Sequence, residues 1–338
     1  MIHVGVDLHQ RFCYMTALGA RGKMVQAGAV SNEAGELRRY FRQFRGQAVQ
    51  AAVEACGFWP AFREVVEPEV KRLVLVHPQR VKAIASAKLK NDRVDSATLA
   101  HLLRCDLLPA AWMADRQTRE RRQRVRLRIS LGQHRAALKN QAHAILHQHG
   151  KRCEWSDVFG KKGRAWLKKV QLPPAARGAM DTYCALIDEV GGHIREQERT
   201  IGWMAKADAR AKWLATIPGI GVYSAMILLS EIGEVQRFSS AKALYSYAGL
   251  VPWVRESAGK KSRGGISRCG SPRLRWVMVE AAHTAVRCSP AAKSYFERMR
   301  QRKHPHVARV ALARKLLGAA YALLRDGVCF DESIFAAV

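Results

Sequence analysis

Short apolar runs and helical repeats alternate along the first hundred residues. Leu37, Tyr40, Phe41 and Phe44 recur at i, i+3, i+4 and i+7, which predicts an amphipathic helix over 32–44. Further helices are predicted from Pro60, over 80–88 and over 92–104. The apolar runs predict strands at 2–8, 11–18, 23–30, 48–54 and 73–76.

The order of these elements predicts the topology of the first domain. Gly19 and Gly22 supply a turn between the second and third strands. Three antiparallel strands followed by strands that alternate with helices resemble the core of an RNase H-like nuclease. We therefore expect an α/β domain over residues 1–110.

Two long helices are predicted between residues 111 and 210. Their apolar side chains follow near-helical spacing in two stripes: Leu127, Leu131, Leu138, Ile145 and Leu146, then Leu186, Val190, Ile194, Ile201 and Met204. Pro173 and Pro174 lie between the stripes and separate the helices. We expect an antiparallel coiled-coil linker over 111–210, although an ordinary helical bundle fits the same pattern.

Residues 211–338 are expected to form a compact, mostly helical domain. Glycines punctuate its first half, and a loop rich in glycine, serine and lysine is predicted over 251–270. Helices are predicted over 214–220, 224–232, 241–250, 274–286 and 307–324.

The net charge identifies a class of partner. The chain has 57 Lys and Arg against 28 Asp and Glu, a formal net charge of +29 at pH 7, and basic residues concentrate in 115–169, 255–275 and 293–315. This surplus predicts binding to nucleic acid. The basic amphipathic helix typical of membrane-surface proteins is missing, and the most apolar stretch, 316–324, is too short to cross a bilayer.

The cysteines and the start of the chain predict the compartment. No two of the eight cysteines lie within five residues of each other, which excludes the short knuckles of structural zinc sites. The N-terminus lacks the pattern of a signal peptide. We expect reduced, scattered thiols and a cytoplasmic location.

Four carboxylates form the first candidate site. Asp7 and Glu54 are expected at strand ends, while Asp92 and Asp95 open a helix at i, i+3 spacing on one face. Each has an ordinary alternative role as a turn, a solvated strand end or a helix cap. Together on this strand order they predict a site for Mg²⁺ or Mn²⁺, and two such ions stabilise the attacking and leaving oxygens of a phosphodiester.

Two segments of the last domain are candidates for phosphate contact. The sequence IPGIG at 217–221 is typical of a helix-hairpin-helix turn, whose glycines Gly219 and Gly221 let backbone N–H groups face a phosphate. Alternatively, a turn of this kind makes contacts within the protein and binds no phosphate. In the basic loop, Ser257, Ser262 and Ser267 are equal candidates for a nucleophile, and each needs activation to attack phosphorus.

Seven segments in order resemble the DEDD transposases of insertion sequences, the IS110 family with its IS1111 branch. They span nearly the whole chain, and Arg268 stands where the family often has lysine. The segments are VDLH at 6–9, EACG at 54–57, KNDRVD at 90–95, IPGIG at 217–221, YAGLVP at 247–252, SAGK at 257–260 and ISRCGSPRLR at 266–275.

The resemblance implies a RuvC-like DEDD domain, a coiled-coil linker and a serine-bearing transposase domain. It implies a recombinase that excises and inserts a mobile element under the guidance of a bridge RNA. Asp7, Glu54, Asp92 and Asp95 are the implied metal ligands, and Ser257 is the implied nucleophile. The implied product of cleavage is a 5′-phosphoserine with a free 3′-OH.

The implied partners are double-stranded target and donor DNA, a structured non-coding guide RNA and further copies of the chain. A dimer or tetramer in the bacterial cytoplasm, associated with the nucleoid and not with a membrane, is expected. The expected nucleic-acid contacts are the two turn glycines and the basic residues of the loop and the arm, namely Gly219, Gly221, Lys260, Lys261, Arg263, Arg268, Arg273, Arg122 and Arg126.

Two other functions use the same features. A RuvC-like nuclease of the junction-resolvase type would need the four carboxylates and leave the serine idle. A non-catalytic nucleic-acid-binding protein would need only the basic surfaces, and the carboxylate pattern argues against it.

Overall fold

The structure is a computed structural model that describes residues 1–78, 80–81, 91–257 and 260–335. The chain divides into two compact units, Met1–Met113 and Ala114–Val338. The helix predicted over 80–88 lies almost wholly outside the described residues. Among the described helices, none has the length and apolarity that a bilayer crossing requires.

A five-stranded sheet forms the centre of the first unit. Its strands lie in the order β3-β2-β1-β4-β5; β2 pairs antiparallel with β1 and β3, and β4 pairs parallel with β1 and β5. The central strand β1 is almost fully buried, as its run of apolar residues requires, whereas the edge strand β3 is largely exposed. The strands are β1 (Ile2–Leu8), β2 (Phe12–Gly19), β3 (Met24–Ser31), β4 (Val49–Glu54) and β5 (Arg72–Val76).

Helices cover both faces of this sheet. Helices α1 (Ala34–Arg42) and α2 (Trp59–Val66) pack on one face through side chains such as Phe41 and Phe62. Helix α3 (Asp92–Arg104) packs on the other face through Leu99 and Leu103. Because side chains alternate along a strand, β4 supplies Ala51 and Val53 to one layer and Ala52 to the other.

The second unit begins with a helical arm. Helices α4 (Arg116–Gln148) and α6 (Pro174–Lys206) each have 33 residues, with the short α5 (Lys161–Lys169) between them. The two long helices are antiparallel, since the start of α4 meets the end of α6. At that end Val125 and Ile129 share a core with Ile201 and Ala205. The far end has a core of its own around Leu146 and Met180.

Helices form most of the remainder, and they surround the largely buried α12. The first of them ends at Ala215, before Pro218, so the helix expected over 214–220 lies earlier than expected. Helix α11 had no predicted counterpart. The helices are α7 (Ala209–Ala215), α8 (Val222–Ile232), α9 (Ala241–Ala248), α10 (Pro272–Cys288), α11 (Pro290–Arg300) and α12 (Pro305–Asp326).

A hairpin lies where a loop was expected over 251–270. Strands β6 (Pro252–Ser257) and β7 (Lys260–Ile266) pair antiparallel. Their glycine, serine and lysine residues have low strand propensity. The hydrogen bonds that pair the two strands are made by backbone atoms, so they do not depend on these side chains. At the level of a mixed α/β sheet domain followed by a mostly helical region, the predicted fold class is confirmed.

Candidate metal centre and nucleic-acid interface

The end of β1 and the turn that follows it carry the first two residues of the candidate metal centre. Asp7 lies near the end of β1, opposite Tyr14, with 22% of its side chain exposed. His9 follows in the turn, where its N–H donates to the carbonyl oxygen of Phe12 at 3.0 Å. The Asn32 amide donates to the carbonyl oxygens of His9 at 2.6 Å and of Phe12 at 3.3 Å. These bonds fix the backbone that orients the imidazole.

The N-terminus of α3 carries the next two residues. Asn91 caps the helix by accepting a hydrogen bond from the N–H of Val94 at 2.8 Å. Asp92 and Asp95 therefore lie in the first turn, where the partial positive charge of the helix end favours carboxylates. The cap itself is Asn91, one residue before the aspartate for which a capping role was considered.

Gly5 and Ser96 hold α3 close to the sheet. A Cβ atom added to Gly5 would lie 1.9 Å from the carbonyl oxygen of Ser96 and 2.5 Å from the nitrogen of Ala100. The buried hydroxyls of Ser96 and Thr16 are hydrogen-bonded at 2.8 Å. This close approach, available only to glycine, brings the first turn of α3 to the level of Asp7.

The structure brings Asp7, His9 and Asp92 together. One ligand atom from each lies within 4.8 Å of the others. His9 Nε2 is 3.4 Å from Asp7 Oδ2 and 3.3 Å from Asp92 Oδ2. Burial raises the pKa of Asp7, the charges of Asp92 and Asp95 raise it further, and His9 opposes the shift. The negative charges of the other carboxylates therefore disfavour the ionised form of Asp7, and a bound cation would relieve this repulsion.

Glu54 is the last residue of β4, on the strand next to Asp7. Val53 faces Val6 in the parallel register, so Glu54 and Asp7 follow at the same level of adjacent strands. Residues at matching positions of parallel strands point to the same side of the sheet. Neither Glu54 nor Asp95 belongs to the 4.8 Å group, although Asp95 is near enough to affect the pKa of Asp7.

These residues fit a divalent cation. Carboxylate oxygens are the preferred ligands of Mg²⁺ and Mn²⁺, and the repulsion around Asp7 is the energetic problem that such an ion removes. His9 Nε2 is buried, has no hydrogen-bond partner within the described part of the chain, and lies beside both carboxylates. The sequence interpretation did not assign His9, although it lies two residues after Asp7 within the motif VDLH.

The hairpin of the second unit carries Ser257 and three of the expected basic contacts. Ser257 is the last residue of β6, and it pairs with Lys260, the first residue of β7. Lys261 faces Glu256, and Arg263 faces Val254. Residues 258–259 lie outside the described part of the chain. The backbone thus places Ser257 at the tip of a hairpin whose return strand is basic.

A tight turn after the hairpin presents Arg268. Its φ of 55° lies in the left-handed region, and its side chain is exposed. The turn is held because Ser267 N–H donates to the carbonyl oxygen of Val251, and Ser271 N–H donates to that of Tyr247. Arg273 is half-buried in the first turn of α10.

The two glycines of the IPGIG turn have different surroundings. Gly219 has a φ of +82°, and an added Cβ would lie 2.2 Å from the carbonyl oxygen of Ala281 on α10. Gly221 precedes α8, which has no side-chain cap, and no atom of the described residues lies within 4 Å of its added Cβ. Gly219 therefore serves packing, while Gly221 leaves the N-terminus of α8 accessible.

The structure directs Arg122 and Arg126 inward, to α8. Arg122 donates to the carbonyl oxygen of Ser230 at 2.6 Å, and Arg126 donates to both carboxylate oxygens of Glu231 at 2.9 and 3.1 Å. Burial alone would raise the pKa of Glu231, but the bonds from Arg126 and Ser271 lower it. These two arginines connect the arm to the helical core, a role that was not expected from the sequence.

The comparisons with known proteins match both units. A family model for DEDD transposases of the IS110 type matches residues 4–150, and one for the transposase IS116/IS110/IS902 family matches residues 211–297. The first match includes every residue of the acidic cluster, and the second includes the hairpin and the IPGIG turn.

Three relatives illustrate the range of similarity. A probable family 20 transposase of Pseudomonas aeruginosa is 28% identical over 87% of this chain and 89% of its own. The transposase for insertion sequence element IS1111A of Coxiella burnetii is 25% identical over 74% of this chain and 70% of its own. A pilin gene-inverting protein of Moraxella bovis is 39% identical over 37% of this chain and 40% of its own.

Proposed function

Since the chain belongs to the IS110 family of DEDD transposases and is therefore an enzyme that acts on DNA, we propose that it excises and inserts a mobile element with Ser257 as nucleophile. Divalent cations at the acidic cluster assist the reaction. The observation that carries this proposal is the convergence of Asp7, Asp92 and His9 within 4.8 Å on an α/β sheet.

The strand order supports an RNase H or RuvC-like assignment for the first unit. Three antiparallel strands lie on one side of the sheet, and β4 and β5 continue it in parallel on the other. Asp7 and Glu54 occupy neighbouring strands, and α3 adds Asp92 and Asp95. These four carboxylates are the proposed ligands of Mg²⁺ or Mn²⁺, with two ions as the proposed number.

The residues of the cluster have separate tasks in this proposal. When bound, a divalent cation supplies positive charge to a phosphodiester oxygen that attacks or leaves. Asp7 and Asp92 would hold the cation, and Asn91 and Asn32 fix the backbone at the two ends of the cluster. Gly5 keeps α3 at the distance that this arrangement requires.

In the proposed cleavage step, one bond to phosphorus forms and one bond to phosphorus breaks. The Ser257 oxygen attacks the scissile phosphorus, a bond forms between Oγ and phosphorus, and the bond from phosphorus to the 3′ oxygen breaks. The electron pair leaves with the 3′ oxygen, which gains a proton while the serine loses one. The products are a 5′-phosphoserine and a free 3′-OH. Attack of a 3′-OH from another end restores the serine hydroxyl and joins the strands.

Nucleic-acid contacts are proposed for the hairpin, the turn after it and the N-terminus of α8. Lys260, Lys261, Arg263, Arg268 and Arg273 would balance phosphate charge, and the N–H groups that follow Gly221 would face a phosphate. The helix-hairpin-helix assignment of α7 and α8 belongs to this proposal. A structured guide RNA that pairs with target and donor DNA is the proposed second nucleic acid, and the +29 charge supports it.

The proposed setting is the bacterial cytoplasm at the nucleoid, with two or four copies of the chain acting together. A junction-resolvase type of nuclease remains the alternative. The relative named as a pilin gene-inverting protein favours recombination, because inverting a gene needs strands to be rejoined as well as cut.

A trapped covalent intermediate tests the serine. The full chain with its element DNA and transcribed RNA is run on a denaturing gel, and Ser257→Ala is expected to lose the protein–DNA adduct while keeping DNA binding within about twofold. Ser262→Ala and Ser267→Ala are matched controls that should retain the adduct. Cleavage by the wild type without any adduct would support the nuclease, and an adduct with Ser257→Ala would move the nucleophile elsewhere.

A further inference from the structure

One polar atom of the proposed metal centre, Nε2 of His9, has no partner in hydrogen-bond geometry among the residues that the structure describes. The His9 side chain is 41% exposed, yet this nitrogen is buried. The same atom is 3.4 Å from Asp7 Oδ2 and 3.3 Å from Asp92 Oδ2. A buried nitrogen left without a bond is costly unless another ligand completes its environment.

The position of this nitrogen is built into the fold. The Asn32 amide binds the carbonyl oxygen of His9 at 2.6 Å, and the N–H of His9 binds Phe12 at 3.0 Å. The imidazole lies against the Phe12 ring, with 5.0 Å between ring centres. Since backbone and ring are both held, the orientation of Nε2 toward the carboxylates follows from the turn.

We propose that His9 is a nitrogen ligand of the cation held by Asp7 and Asp92, and that it shifts the preference of the site toward Mn²⁺ over Mg²⁺. This inference rests on the proposed metal site. Adjacent ligands of an octahedral ion with bonds of about 2.1 Å lie about 3.0 Å apart, close to the two distances at Nε2.

The chemistry of the donor explains the preference. A neutral imidazole donates a lone pair without adding negative charge to a cluster that already holds the carboxylates of Asp7 and Asp92. Nitrogen is a softer donor than carboxylate oxygen, and imidazole suits transition metals better than it suits Mg²⁺. Loss of His9 therefore weakens Mn²⁺ binding more than Mg²⁺ binding.

Pulsed electron paramagnetic resonance of the full chain with one equivalent of Mn²⁺ tests the ligand directly. We expect ¹⁴N coupling to the bound ion in the wild type and its loss in His9→Ala, with Mn²⁺ affinity reduced at least tenfold and Mg²⁺ affinity reduced less than threefold. His101→Ala, an exposed histidine on α3, is the matched control and should change neither. His9→Gln, which keeps a polar side chain of similar reach, decides the question if the alanine variant does not fold.

The outcomes separate this inference from the metal site itself. Retained ¹⁴N coupling in a folded His9 variant, or tight Mn²⁺ binding by the wild type without that coupling, overturns the role of His9 and leaves the carboxylate site standing. If the wild type and Asp92→Asn bind Mn²⁺ equally weakly, the proposed metal site fails, and the role of His9 fails with it.

Discussion

At the scale of single residues, Asp7 shows a conflict between stability and function. Burial and the charges of Asp92 and Asp95 raise its pKa, so its ionised form is disfavoured in the folded protein. The proposed cation site needs that ionised form. In this proposal the fold maintains a cluster that is unfavourable until an ion occupies it.

The first prediction concerns Asp7→Asn in protein stripped of divalent ions. A raised folded pKa means that wild-type stability falls as the pH rises from about 4 through the folded pKa of Asp7. The asparagine removes this loss, so at pH 7 we expect the variant to be more stable by about 1 kcal/mol, with the difference vanishing at acid pH. Urea unfolding across the pH range measures it.

Two results would contradict that account of Asp7. Equal stability of Asp7→Asn and wild type at every pH would mean that Asp7 carries no electrostatic cost. A variant that Mg²⁺ or Mn²⁺ stabilises as much as the wild type would mean that Asp7 does not hold the ion.

At the scale of elements, the contact between β1 and α3 positions the residues of the proposed metal centre. Gly5 lets the backbone of α3 lie against the sheet, and the bond between Thr16 and Ser96 links the helix to β2. The acidic first turn of α3 then lies beside the exit of β1. The position of the carboxylates is therefore set by a glycine and two hydroxyls that have no part in the chemistry.

The second prediction is that Gly5→Ala destabilises the first unit by about 2–4 kcal/mol, measured by urea unfolding. Its Cβ would lie 1.9 Å from a backbone oxygen, and backbone atoms yield only if α3 moves away. We expect Mn²⁺ binding to weaken together with stability. Gly28→Ala on β3 is the control, since its added Cβ has no atom within 4 Å in the part of the chain that the structure describes. Wild-type stability of Gly5→Ala would contradict the close approach.

At the scale of the whole molecule, the basic residues have two proposed tasks. Some connect the arm to the helical core, and others contact nucleic acid. Arg126 binds Glu231, of which only 2% is exposed, and so connects the arm to the helical core. The lysines of the hairpin lie on a strand that returns from the tip occupied by Ser257. Net charge alone does not distinguish these tasks, because each lysine or arginine adds one positive charge to the total of +29 whichever task it has.

The third prediction separates the two tasks by paired variants. Lys260→Gln with Lys261→Gln is expected to reduce the slope of log K for DNA against log salt by about 1.8, with stability unchanged. Arg126→Gln is expected to destabilise the second unit by about 3 kcal/mol, because the buried carboxylate of Glu231 loses its charged partner, while the salt slope changes by less than about 0.5. Filter binding and thermal unfolding give the two readouts. A loss of stability in the lysine variant together with a reduced salt slope in Arg126→Gln would contradict this division.

The family assignment and the succession of strands and helices were predictable because they depend on local patterns. Alternation and helical spacing predicted β1 to β5 and α1 close to their observed bounds, and they predicted two long arm helices without giving their ends. The resemblance to IS110 transposases rested on short ordered motifs and is confirmed. The hairpin over 252–266 was missed because its residues have the composition of a loop, and α11 was missed as a short helix.

What the sequence by itself determined about this protein is its family, its charge and the carboxylates that are candidates for binding a cation. Tertiary structure alone decided which of those residues meet: His9 joins Asp7 and Asp92, while Arg122 and Arg126 turn to α8. Identity and spacing fix what a side chain offers and on which face of its element it lies. Its neighbours depend on distant contacts, such as the packing of α3 on Gly5, that no local pattern encodes.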